Sequence, residues 1–421
     1  MINDFTSQRA NDPTTPGIFA GIKVLEFGGG AAGPLGSRYF ADHGATVVRV
    51  ESRQRPDFLR ILRLTPDTPG GLDGGHMFAM INCNKYGIGL NMSHPKGPQV
   101  ARRLVQWADV VAENFSPKAM AKWGLDYESL RGINPGLVMI STCLNGQTGP
   151  DRFYPGFGGQ GSAISGFNHL TGWPDREPLG PYGTITDSLA PRFVALLVGS
   201  ALLYRRRTGH GQYIDLSQVE AGVICLSENL LTYAATGKAL GRIGNRSRYA
   251  APHGAFRCAA NDGDDDRWVA IAVHDDEDWQ RFRQVMGDPT WAVDSRFATA
   301  AGRLANVDEL EARVGEWTRT RDAREAMATL QAAGIDAGVV QNFEDLTRDP
   351  QLAHRNHFRE VEHPVIGRHL CEANAIHLSH TPDQIRTPAP CLGQHSELVY
   401  RELLGMPAEE YALLAAEGVF E

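Results

Sequence analysis

The strongest constraint on the fold is an alternation, over the first 220 residues or so, of short β-branched runs with longer amphipathic stretches. Residues 22–27 (IKVLEF) and 45–51 (ATVVRVE) read as buried strands, and the segment between them is long enough for one short helix. Residues 97–108 (GPQVARRLVQWA) set apolar side chains at helical spacing and lead into another strand at 109–114 (DVVAEN). A further strand follows at 136–143 (GLVMISTC). Strand, helix, strand in that order predicts a parallel sheet covered by helices, an open α/β architecture. From 187 the run DSLAPRFVALLVGSALLYRRRTGHG places leucines near helical spacing and closes on three arginines and Gly209, as the exposed carbonyls of a helix C-terminus favour. After about residue 225 the character changes: an acidic, Trp-containing run (NDGDDDRWVAIAV) and charged helical sequence extend to 335. The division expected is a large domain over 1–225, a smaller domain over 226–335, and a C-terminal part over 336–421 with strand and turn patterns.

Charge and cysteine usage narrow the function classes. Lys plus Arg number 41 against 49 Asp plus Glu, a formal net charge of −8, which disfavours bulk nucleic-acid binding. No apolar run is read as approaching the roughly 18–20 residues a membrane helix needs, and the N-terminus (MINDFTSQRANDPTTPG) reads as a polar arm rather than a signal segment. The six cysteines contain no CxxC pair, so neither a disulfide framework nor a zinc site is expected. His354 and His357 have no partner placed by sequence and read as surface residues. A cytoplasmic enzyme without metal or membrane attachment is the expectation.

Gly28, Gly30 and Gly33 satisfy G-x-G-x-x-G directly after a strand, and Glu51 ends the next strand near where a ribose-binding acid would lie. Taken alone, that pattern points to a dinucleotide-dependent oxidoreductase. The physical content is narrower: a small-residue loop feeding a helix N-terminus lets backbone N–H groups approach an anion. A Gly-rich turn without a ligand satisfies the same pattern.

The pattern extends well beyond this loop. GIKVLEFGGGAAGPLGSRYFADHGATVVRVE (21–51), MINCNKYGIGLNMSHPKG (80–97), ADVVAENFSPKAMAKWGLDYESLRGINPGLVMIS (108–141), YGTITDS (182–188) and YRRRTGHGQYIDLSQVEA (204–221) occur in order, followed by GIDAGVV (334–340) and LGQHSELVYRELLG (392–405). Together they resemble the family III CoA-transferases, the group of formyl-CoA transferase and the carnitine and bile-acid CoA-transferases. The resemblance spans nearly the whole chain and is weakest between 240 and 330. It implies a Rossmann-like large domain built from both termini, a smaller α+β domain, and two chains interlocked as a dimer. It implies coenzyme A or acyl-CoA as a substrate, a carboxylic acid as the second substrate, and no tightly bound cofactor.

By position in GTITDS, the resemblance makes Asp187 the nucleophile that attacks the acyl-CoA thioester. On its own an Asp there reads first as a helix cap or turn residue. A carboxylate nucleophile divides one difficult acyl exchange into covalent steps, a place just ahead of a helix favours the anion, and Thr184, Thr186 and Ser188 offer hydroxyl donors. For the CoA site the resemblance points to Ala31 and Ala32 in the first loop, to Leu90 and Asn91 in LNMS where the family usually has LDMK or LDLK, and to Asn114, Phe115 and Ser116. It also points to Lys122 where an Arg is usual, and to Cys143 and Asn145. Ser52 stands where a basic residue is common, which leaves Arg53 as the substitute. Cys143 also reads as a small buried residue, and Glu51, Asn84 and Lys85 also read as structural polar groups. Trp173 is either core or a wall of the acyl pocket.

One family feature is missing: the glycine run of formyl-CoA transferase has no counterpart in 241–258 (GRIGNRSRYAAPHGAFRC). That suggests an acid larger than formate, an aryl-substituted succinate for example, with succinyl-CoA as donor. Arg242, Arg246 and Arg248 are partners for a substrate carboxylate or for CoA phosphates, or are solvated. Alternatives within the fold are an acyl-CoA racemase or isomerase, which needs a His–Asp pair and offers His169, and one subunit of a heteromeric transferase.

Overall fold

The computed structural model describes residues 16–181, 184–261 and 263–421. The chain divides into two compact units, one of residues 1–167, 180–237 and 351–421, the other of 168–179 and 238–350.

The first unit is built on a six-stranded, wholly parallel sheet. Its strands are β1 (Lys23–Glu26), β2 (Thr46–Glu51), β3 (Tyr86–Gly89), β4 (Val110–Glu113), β5 (Val138–Cys143) and β6 (Tyr213–Ser217), in spatial order β3-β2-β1-β4-β5-β6. Side chains alternate between its faces, so register decides which residues meet. Val24 lies beside Val47 and Val110, and Val110 beside Val138, all four on one face. Leu25, Val48, Val111 and Met139 line up on the other. Both faces are apolar because both are covered, as in other parallel sheets. Helices α1 (Ala32–Asp42) and α4 (Ile185–Thr208) cover the Val24 face. Helix α2 (Gly97–Trp107) and the C-terminal segment around Tyr400 cover the Leu25 face, and α3 (Gly158–Ile164) lies against Leu144 just past β5.

Helix α4 corrects one expectation. Its 24 residues, with a mean hydropathy of 1.3 over the most apolar window, are long and apolar enough to cross a membrane by length and composition. Its Ala190, Val194, Val198 and Ala201 are instead buried against the sheet. Burying a Val side chain contributes about 1.5–3 kcal/mol, so this face holds α4 against the sheet.

The exposed edge of β3 is closed by the chain's return. Gly87 N–H donates to His395 Nδ1 at 3.1 Å and Gly89 N–H to Ser396 Oγ at 3.0 Å, which protects a sheet edge that would otherwise present unpaired donors. The LGQHSELVYRELLG segment is therefore structural at these two residues.

Strand β2 carries the least expected core feature. Arg49 is fully buried and pairs with Glu26, Asp57 and, at 3.6 Å, Glu51. Arg60, also buried, reaches Glu51 through two bonds of 2.9 Å, and Lys85 reaches Glu26 at 2.8 Å. Although burial raises it, Lys85 and Arg49 hold the Glu26 carboxyl at about 2. Glu51 is thus consumed by two arginines inside the protein, and the ribose-binding role its position suggested is overturned. Asn84 bonds Asp42, so with Lys85 it belongs to the structural alternative.

The second unit holds an antiparallel sheet of β7 (His253–Arg257), β8 (Trp268–Ala272) and β9 (Asp336–Val339), in order β7-β8-β9. Helices 276–285, 307–318 and 323–332 cover it around Trp279, Phe282, Phe297, Leu310 and Leu330. Its boundaries differ from the expected 226–335. Helix Ser227–Thr236 stays with the first unit, and β9 pairs with β8, carrying residues up to 350 into the second.

Candidate active site

In an open parallel sheet the crevice forms outside the carboxyl ends of the strands, where the strand order reverses. Here the order reverses between β1 and β4. A cavity of about 370 Å³ lies at that place. Its lining comes from the segments just past four strands: Gly29–Ala32 after β1, Asn114–Pro117 after β4, Leu144 and Asn145 after Cys143 of β5, and Gln218 after β6. Asp187, in the first turn of α4, completes the wall.

The carboxylate of Asp187 is held from three sides. The Gly158 N–H donates to its Oδ2 at 3.2 Å, and the side chains of Thr184 and Gln218 bond it as well. Burial pushes its carboxyl above the ordinary value, and these three bonds, which favour the anion, do not cancel the effect. The helix start therefore does not leave Asp187 a freely solvated anion. It is a partly desolvated and correspondingly more basic carboxylate, suited to attack on a carbonyl carbon. Of the three expected hydroxyl donors only Thr184 reaches it; Thr186 Oγ donates to the Gly158 carbonyl at 3.2 Å, and Ser188 is exposed.

Gly158 and Gly161, at the start of α3, are determinants that the sequence motifs did not flag. A Cβ at Gly158 would lie 2.5 Å from Asp187 Oδ2, and one at Gly161 would lie 2.5 Å from Thr186 Oγ. Only hydrogen at these positions lets the backbone approach the Asp187 carboxylate and the Thr186 hydroxyl. The signal was present as GFGGQGS (156–162), a glycine cluster outside any turn pattern. Arg152, Tyr154, Phe157 and Phe58 also fall outside the motifs. Tyr154 and Phe157 are 66% and 62% exposed while lining the cavity, and the Phe58 and Phe157 rings lie 5.2 Å apart.

The glycine fingerprint does something other than expected. Gly28 has φ +116°, and a Cβ there would fall 1.8 Å from Asn114 Oδ1. Asn114 accepts from the Gly29 N–H at 3.0 Å and donates to the Gly29 carbonyl at 2.7 Å, while the Gly30 N–H donates to Asp57 at 3.0 Å. Those loop N–H groups are committed within the protein. Gly28 and Gly33 make room for Asn114, which locks β1's loop to β4's, and Gly30 makes room for the Phe58 ring.

Seven of the proposed CoA contacts line the cavity with Asp187: Ala31, Ala32, Asn114, Phe115, Ser116, Cys143 and Asn145. Burial pushes the Cys143 thiol up to about 12, so it is a protonated wall. The other four are not among the cavity's lining. Leu90 is fully enclosed in the core, and Asn91 ties its own turn by accepting from Ser93 N–H; Arg53 and Lys122 are exposed at the surface. In the second unit Arg246 is paired with Asp308 and Glu311, and Arg242 and Arg248 bond backbone carbonyls. Trp173 is 48% exposed, which excludes the core alternative. Among the described residues no group of three or more His, Cys, Asp or Glu could hold a metal.

The family model described as CoA-transferase family III matches residues 19–396. The chain belongs to CoA-transferase family III. It is a CoA-transferase, an enzyme acting between an acyl-CoA and a carboxylic acid. It is similar to the succinyl-CoA–D-citramalate CoA-transferase of Chloroflexus aurantiacus, with 34% identity over 94% of this chain and 97% of that one. It is also similar to the beta subunit of succinyl-CoA–L-malate CoA-transferase from the same organism, with 32% identity over 94% and 96%. Among solved structures, a CAIB/BAIF family protein from Brucella suis superposes with a TM-score of 0.83 at 30% identity, covering 92% of this transferase and all of that chain.

Proposed function

We propose that the transferase moves CoA from succinyl-CoA to a dicarboxylic acid, with Asp187 as the covalent nucleophile. The observation that carries this reading is the Asp187 carboxylate in the wall of the strand-end cavity, desolvated and held by the Gly158 N–H. In the first step a carboxylate oxygen attacks the thioester carbonyl, the C–S bond breaks, and a mixed anhydride and CoA thiolate result. The thiolate then attacks the Asp187 carbonyl, giving an aspartyl-CoA thioester and releasing the donor acid. The acceptor carboxylate attacks that thioester, forming a second anhydride and again freeing the thiolate. Thiolate attack on the acceptor's acyl carbon yields the new acyl-CoA and regenerates Asp187. Gly158 N–H and the Gln218 amide are seated to bear the charge that develops on the aspartyl oxygen. Arg152, in the cavity lining, is the cation available to an acid's distal carboxylate.

Ala31, Ala32, Asn114–Ser116, Cys143 and Asn145 are the CoA contacts in this reading. The order β3-β2-β1-β4-β5-β6 supports calling the large unit Rossmann-like. A dimer, interlocked as in the family, is part of the proposal. Supporting it, α4 presents Leu196 and Leu203, and helix Ser227–Thr236 presents Leu230 and Leu231, all exposed. The relative named as a beta subunit keeps a heteromer in view. A cytoplasmic location completes the reading. A racemase is disfavoured because no histidine is among the described residues lining the cavity. The test is to incubate the protein with succinyl-CoA and a panel of dicarboxylic acids, separating the acyl-CoA products chromatographically. New acyl-CoA esters are expected, and Asp187→Ala should abolish them while CoA binding persists. Turnover by that variant near the wild-type rate refutes the assignment.

A further inference from the structure

The first unit brings together two cysteines that lie 288 positions apart in the chain. Cys83 follows helix His76–Ile81, and Cys371 sits in the hairpin strand Gly367–Glu372; both are fully buried, and their sulfur atoms are 2.9 Å apart. Both are free thiols. That spacing is inside the contact distance of two sulfurs and within about 1 Å of the roughly 2.05 Å of a disulfide bond. The pair is also chemically asymmetric. Arg38, buried on α1 and paired with Asp42 at 3.2 Å, sets a guanidinium nitrogen 3.5 Å from Cys371 Sγ and also bonds the Met80 and Glu372 carbonyls. Hydrogen bonding from Cys83, with Arg38 as the nearby positive charge, pulls the Cys371 thiol below its ordinary range, whereas the Cys83 thiol is pushed up. With Arg38 against its sulfur, Cys371 is the attacking member of the pair and Cys83, in contact with it, the resolving one.

We propose that Cys83 and Cys371 are a redox-modification site at which a hydroperoxide converts the buried dithiol to an intramolecular disulfide. The Cys371 sulfur, giving up its proton, attacks one peroxide oxygen; the S–O bond forms, the O–O bond breaks, and the departing hydroxide or alkoxide takes up that proton. Cys83 sulfur attacks the resulting sulfenic sulfur; the S–S bond forms, the S–O bond breaks, and the departing hydroxide takes the Cys83 proton as water. Two thiols and one hydroperoxide thus give one disulfide, one water and one alcohol or second water. The product ties the N-terminal half of the unit to its C-terminal hairpin.

The experiment treats the full-length protein with hydrogen peroxide, alkylates remaining thiols under denaturing conditions, and maps peptides without reductant. The expected result is a Cys83–Cys371 linked peptide pair, two hydrogens lighter than the sum of its parts and dissolved by dithiothreitol. In Cys83→Ser the link is absent and a dimedone adduct appears on Cys371; Cys371→Ser, made in parallel, gives no adduct on Cys83. Recovery of both cysteines as alkylated thiols while exposed Cys225 is oxidised overturns the proposal. So does Cys371 advancing to sulfinic acid without the link.

Discussion

Replacing Glu113 with glutamine tests how the strand ends are balanced beside the cavity. Glu113 closes β4 and is 2% exposed, with Oε2 accepting from the Phe115 N–H at 2.8 Å. Burial raises its carboxyl from 4.5 to about 7; Ser141 and the Phe115 N–H pull against that, and Asp215 adds to it. In the unfolded chain the group titrates at its ordinary value. A raised folded-state pKa means the native form holds the proton more tightly, so the associated stability is complete below pH 4.5 and is lost as pH rises through about 7. At about 1.36 kcal/mol per pKa unit, the wild type gives up roughly 2–3 kcal/mol between pH 5 and pH 8 through this residue. Glu113→Gln keeps an acceptor for the Phe115 N–H and has nothing to ionise. Urea denaturation of both proteins at the two pH values isolates the effect. The variant's stability relative to wild type should rise by about 2–3 kcal/mol from pH 5 to pH 8. A difference that does not change with pH would falsify the reasoning.

Three further outcomes follow from the geometry. Gly158→Ala should cost about 100-fold in kcat by displacing the Asp187 carboxylate, with CoA affinity by calorimetry unchanged; a rate within twofold of wild type would count against the close approach. Asp187→Asn should be inactive yet unfold at a temperature no lower than wild type at neutral pH. A carboxyl whose folded pKa is raised stabilises only when protonated, and the amide removes the buried charge; a clear loss of thermal stability would contradict this. Arg49→Met, which leaves Asp57 and Glu26 facing each other without their shared cation, should destabilise by about 3–5 kcal/mol in urea, and an unchanged midpoint would show the pairs to be dispensable.

The parallel sheet was legible because its strands are apolar on both faces, and such runs stand out between helical stretches. Arg49 was not, since it sits mid-strand in TVVRVE and only the folded neighbourhood supplies Glu26, Glu51 and Asp57. Asp187 came from a motif match, and periodicity alone would have left it a helix cap. Gly158 carries its function by lacking a side chain, so no residue-type pattern announces it; only the 2.5 Å approach does. Leu90, Arg53 and Lys122 were placed by motif position, which says nothing about whether a side chain ends in the core, in a cavity or at the surface. The unit boundary slipped for a related reason: β9 is a four-residue strand whose membership is set by pairing with β8 rather than by composition.

The central claim is tested most directly by mass spectrometry of the protein quenched during turnover with succinyl-CoA. The peptide carrying Asp187 should gain the mass of CoA less water, and hydroxylamine should convert that adduct to a hydroxamate at the same residue. An unmodified Asp187 peptide under conditions where new acyl-CoA is forming would contradict the account.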